Sequence, residues 1–110
     1  MIKHLLALDG VFVICHFRDD GVLVEGYGML GDDMMVRLAK FAHDYKRMVQ
    51  GNTDQFSMFT GIPGWTPPGG WIVRGAKATV CSVGNLVCFI DNEEASLNEV
   101  MKELTEASRY

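Results

Sequence analysis

Histidine, cysteine and proline are scarce in this chain, with three of each, and what they fail to assemble excludes most catalytic chemistry. His4, His16 and His43 fall on separate segments, none at metal-ligand spacing from a cysteine or another histidine. The chain has no Gly-x-Ser-x-Gly elbow, no phosphate-cradling glycine loop leading into Lys-Ser or Lys-Thr, and no Cys-x-x-Cys. An odd number of cysteines without scaffold spacing argues against a disulfide framework and suits a reducing, cytoplasmic compartment. Basic residues number 10 against 14 acidic ones, for a net charge of −4. That balance gives no clustered positive surface for nucleic acid. The one local concentration, Lys40, Lys46 and Arg47, lies late in an expected helix, where cations complement the helix dipole. Long apolar runs are also missing. Asp9 and Gly10 interrupt the run from Leu5 to Leu8 before it reaches signal length, and nothing approaches the ~20 residues that span a bilayer. The expectation is a non-enzyme with no metal, no cofactor and no membrane segment.

What is present is enough for one compact domain over residues 1–110, since 48% of 110 residues are hydrophobic. Ile2, Leu5, Leu6 and Leu8 make a short apolar helix that Gly10 ends. Residues 11–17 are apolar on both parities, as in a strand covered on both faces. Asp20-Gly21 signals a two-residue hairpin. Strict alternation through that turn sets Phe17 opposite Val24 and Cys15 opposite Gly26. It puts Val11, Val13, Cys15, Phe17, Val22 and Val24 on the core face, with Phe12, Ile14, His16, Arg18, Leu23, Glu25 and Tyr27 on the other. Asp32 and Asp33 open a helix expected over 33–50. Met34, Leu38, Phe41, Tyr45 and Met48 recur along it at helical spacing, an apolar arc wider than one sheet contact requires. Strands follow at 71–74, 77–83 and 86–91, with Gly84-Asn85 as a second hairpin turn. Ser96 and Glu99 form a capping box for the last helix.

The order α-β-β-α-β-β-β-α is carried by three local patterns: Leu5-Leu6-x-Leu8-x-Gly10-Val11, Asp20-Gly21-x-Leu23-Val24, and Leu86-Val87-Cys88-Phe89-Ile90-Asp91. In that order the chain resembles the roadblock / dynein light chain family. The resemblance implies a five-stranded antiparallel sheet with helices on both faces, the first and last on one side and the middle helix on the other. It implies that the middle helix and its neighbouring strand build a homodimer, with Met34, Leu38, Phe41, Tyr45 and Met48 at the seam. It further implies a scaffold or regulator without catalytic activity, whose protein partner is a small Ras-like GTPase or a larger complex. Two departures stand out: the first helix is short, and residues 51–70 replace a brief connection.

That insertion holds all three prolines, with Phe56, Phe59 and Trp65 inside it and Trp71 just beyond. Connections longer than ~12–15 residues in compact domains usually carry function or disorder, and this one is too apolar for simple disorder. Phe56, Phe59, Trp65 and Trp71 are therefore the candidate residues for binding a partner, or alternatively for closing a small-ligand-sensing pocket; they can equally fold back on the domain's own core. His16 faces Glu25 across the first hairpin, read as a cross-strand charge pair. Cys81 faces Cys88 across the second, at a hydrogen-bonded position with Cα atoms about 5.5 Å apart. That separation allows a disulfide, so a thiol redox accessory is a weaker alternative to two reduced core thiols.

Overall fold

Strand β1, Val11–Phe17, is the spine of the domain because both of its faces are apolar, and the fold covers both. The computed structural model describes residues 2–65 and 69–109. A 3-10 helix, Lys3–Ala7, stands where the short apolar helix is expected. β1 is followed by β2 (Leu23–Gly28), α1 (Asp32–Gln50), α2 (Thr53–Thr60), β3 (Gly70–Arg74), β4 (Ala78–Val83), β5 (Leu86–Asp91) and α3 (Leu97–Ser108). The five strands form one sheet in the order β2-β1-β5-β4-β3, with every neighbouring pair antiparallel.

The layers follow the expected plan. Ile14, Cys81, Leu86, Cys88 and Ile90 meet the 3-10 helix through Leu5 and α3 through Val100 and Leu104. On the opposite face Val13, Cys15, Phe17 and Val87 meet Met35, Leu38, Ala39 and Ala42 of α1. Complete burial of residues such as Leu38 or Val100 contributes roughly 1.5–3 kcal/mol each. Gly26 lets α1 come close: a Cβ there would stand 2.3 Å from Met35 Cγ. Lys46 Nζ donates to Asn85 Oδ1 at 2.8 Å, and Asn85 Nδ2 donates to Asp19 Oδ1 at 2.8 Å, tying α1 to both hairpin turns. The N-cap half of the expected capping box forms, with Ser96 Oγ accepting the Glu99 N–H. At the start of α1, by contrast, Gly31 caps without a side chain, and Asp32 and Asp33 act through charge in the first turn.

Two bulges correct the alternation expected for the first hairpin. Cys15 does oppose Gly26 and His16 opposes Glu25, but Phe17 then opposes Leu23, leaving Val24 unpaired. Leu23 therefore turns to the α1 core, while Val22 and Val24, expected inside, are 48% exposed. A second irregularity lies between Val11 and Val13, where β1 meets β5. It sends Val11 to the α3 side and Phe12 to the α1 side, the reverse of the expected assignment. Of the insertion, Pro67 and Pro68 lie outside the described residues.

Candidate functional site

Helix α1 presents two apolar surfaces. Its inner face, Met35, Leu38, Ala39 and Ala42, is consumed by the sheet. Its flank carries Met34, Phe41 and Met48 at 50%, 53% and 52% exposure, so these side chains are only half covered. Of the five residues expected at a seam, Leu38 is buried in the domain's own core. Tyr45 lies between the two surfaces, stacked on Phe41 with centroids 5.6 Å apart and edge-on to Trp71 at 4.6 Å. Beside the N-terminal half of this flank an apolar groove of about 420 Å³ opens, lined by Phe12, Leu30, Met34, Leu38, Phe41 and Phe89. Sequence reading missed Phe12 and Phe89 as groove residues because strict alternation turned Phe12 to the other face. On β3, which has a sheet neighbour on one side only, Val73 is 46% exposed on the α1 face, whereas Ile72, 45% exposed, pairs with Cys81 and faces the α3 side.

The aromatic candidates divide into two groups. Trp71 is part of the α1 core, covered by Tyr45. Phe56 and Trp65 pair with each other, centroids 5.3 Å apart. Their arrangement is local: Thr60 Oγ1 accepts from Trp65 Nε1 at 3.3 Å and from Ile62 N at 3.2 Å, while donating to the Phe56 carbonyl. Gly61, at φ +68°, ends α2 in the left-handed conformation. This short arm leaves Phe59, Met58 and Ile62 at 75%, 71% and 60% exposure.

Cys81 and Cys88 face one another as expected, with Sγ atoms 3.3 Å apart; both are free thiols, as is Cys15. The hydrogen bond with Cys81, together with burial, pushes the Cys88 thiol up. His16 and Glu25 are paired in register, yet Glu25 Oε1 accepts the Ile2 N–H at 2.7 Å. That bond leads the effects holding its carboxyl below the ordinary range. His4, His16 and Glu25 border a cavity of about 250 Å³ near the end of α3. Among the described residues, no group of three His, Cys, Asp or Glu side chains could hold a metal ion. No helix among them is long and apolar enough to cross a membrane.

Sheet order, the helices on both faces and the position of α1 define a roadblock fold. Comparison with solved structures agrees. The chain is similar to Myxococcus xanthus MglB (TM-score 0.70, 18% identity, 98% of this chain and 82% of that one). It is similar to a Roadblock/LC7 domain from Streptomyces avermitilis (TM-score 0.74, 15% identity, 97% and 90%). A third similar structure is described as MglB with tetrameric arrangement (TM-score 0.75, 16% identity, 97% and 81%). A search of curated proteins finds no match. The chain belongs to the family described as Uncharacterized conserved protein (DUF2173), whose model matches residues 1–106.

Proposed function

We propose that this chain is a single-domain, non-catalytic homodimeric scaffold or regulator of the roadblock type, which docks a protein partner. The observation that carries this reading is the two-sided α1: one face seals the sheet while Met34, Phe41 and Met48 stay uncovered on the flank. An apolar stripe of this kind, adjoining the groove through Met34 and Phe41, has the character of a subunit interface. Self-association also has a precedent in the fold, since one similar structure is described as a tetrameric MglB. The resemblance to roadblock proteins makes a Ras-like GTPase, or a larger complex, the partner class. Free buried thiols accord with a cytoplasmic location.

The ligand-sensing reading draws less support, because Trp71 belongs to the α1 core while Phe56 and Trp65 belong to the arm. Sedimentation equilibrium tests the assembly, and a monomer throughout the micromolar range overturns it. Capture from native lysate with GDP or a non-hydrolysable GTP analogue tests the partner class. Nucleotide-dependent retention of a GTPase supports the reading; retention of nothing but the chain's own copies removes the GTPase from it.

A further inference from the structure

The uncovered flank of α1 has a symmetry that specifies how a second copy would lie on it. Phe41 is the midpoint of the helix Asp32–Gln50, and Met34 and Met48 stand seven residues to either side. Seven residues are close to two turns, so the three side chains form one stripe along a helix about 28 Å long. A two-fold axis beside Phe41 sets two such helices antiparallel, with Met34 against the partner's Met48 at both ends and Phe41 against the partner's Phe41. Charge favours the same arrangement. Arg37 and Asp44 are exposed, also seven residues apart, and centred within a residue of the same point. The antiparallel register brings Arg37 level with the partner's Asp44, twice by symmetry, whereas a parallel register would bring like charges together.

This register has a consequence beyond the helix pair. Where α1 ends at Gly51, the chain is level with the partner's Gly31, so the α2 arm emerges over the start of the partner's α1. There the partner presents Met29, 81% exposed, and the open groove lined by Phe12, Leu30 and Phe89. The arm arrives with Phe59 and Met58, its own least covered apolar side chains. We propose that residues 53–65 of each protomer close over the groove of the other, so that each groove is completed by the partner's arm. The proposal rests on the two-fold pairing proposed above and adds a reciprocal exchange of aromatic arms to it. It gives the insertion an occupant of stated chemistry: a second copy of this chain.

The test places a photoreactive benzoylphenylalanine at Phe59 and mixes isotopically heavy with light chain before irradiation. Heavy-to-light cross-links mapping to Phe12, residues 29–34 or Phe89 are the expected result. A dimer whose cross-links stay within one chain, or map to another surface, overturns the arm exchange and leaves the helix pairing standing. A monomer in sedimentation of the unmodified chain overturns both. The double variant Met58→Asp/Phe59→Asp gives a second readout, since both side chains are at the surface, 71% and 75% exposed, and an unchanged circular dichroism spectrum verifies folding. Its dimer dissociation constant should rise by about tenfold or more, the loss expected for an aromatic anchor. An unchanged constant refutes the exchange.

Discussion

Tyr45 lies edge-on to Trp71, ring centroids 4.6 Å apart and planes at 63°, joining the middle of α1 to β3. The contact roots a helix residue expected at a seam in a strand residue expected at a binding site. Trp71 Nε1 is buried without a hydrogen-bond partner among the described residues. A buried unpaired donor costs about 1–3 kcal/mol, which offsets part of what the ring gains from packing. Trp71→Phe should therefore change the unfolding free energy by less than about 1 kcal/mol, because it removes the orphan N–H along with some area. Tyr45→Ala removes an aromatic pair with no compensation and should cost about 2 kcal/mol. Urea denaturation of the two variants, compared at equal protein concentration, measures the difference.

The order of elements was readable because it rests on long signals: a two-residue turn at Gly84-Asn85, a turn signal at Asp20-Gly21 that the structure realises as a three-residue loop between Arg18 and Val22, and a helical period sustained across α1. Side-chain facing in the first hairpin was not. Val24 is extra on β2 and Phe12 is extra where β1 meets β5, and neither carries a composition signal. A bulge reverses parity for everything beyond it, so Val22 and Val24 were assigned inward and Phe12 away from the groove it lines. Of the five α1 residues expected at a seam, Met34, Phe41 and Met48 are half exposed, Tyr45 packs on Trp71 and Leu38 is buried. Residues at helical spacing share an arc, but only the tilt of the helix on its sheet decides which edge of that arc is covered.

The flank of α1 can be separated from ordinary surface by a matched pair of variants. Phe41 and Val36 are both half exposed, at 53% and 55%, but Val36 points away from the stripe. An aspartate at either position stays solvated in a monomer; Val36→Asp should leave the unfolding free energy of the isolated chain nearly unchanged, and Phe41→Asp should cost about 1 kcal/mol through the lost stack on Tyr45. At a two-fold seam, Phe41→Asp would set two carboxylates against each other in an apolar strip, weakening association by about a hundredfold or more. Val36→Asp should weaken it by less than about threefold. Light scattering coupled to size exclusion across a dilution series distinguishes them, and equal behaviour of the two removes the stripe from the interface.

Buried thiols set an alkaline limit on stability. Burial pushes the Cys15 thiol up to about 11 from its ordinary value of 9.0, and Cys88 is also raised. The unfolded chain thus releases these protons at lower pH than the folded one. Their contribution is fully present below about 9 and is lost as pH climbs toward the folded values. The urea midpoint should fall between pH 9 and 11, and Cys15→Ala should flatten part of that decline. At pH 8 all three thiols should resist an aromatic disulfide reagent until the protein is unfolded, when three equivalents react. Fewer than three equivalents without reductant would mean that Cys81 and Cys88 had been oxidised to a disulfide.

Gly28 closes β2 at φ +121°, and a Cβ there would stand 2.2 Å from the Phe12 carbonyl oxygen. Both facts come from the irregular stretch that turns Phe12 toward the groove, since Met29 N donates to that same carbonyl. Gly28→Ala must therefore strain its own backbone and push against backbone atoms of β1, with no flexible side chain to yield. Gly26→Ala meets only Met35, whose thioether chain can rotate away. The expected costs are about 2–4 kcal/mol for Gly28→Ala and about 1 kcal/mol less for Gly26→Ala. Hydrogen exchange adds a spatial check. In Gly28→Ala the amides of Met29 and β2 should lose protection before those of β4 and β5, because the strain sits at the β1–β2 edge. Uniform loss across the sheet would instead mean that the bulge and the central core unfold as one unit.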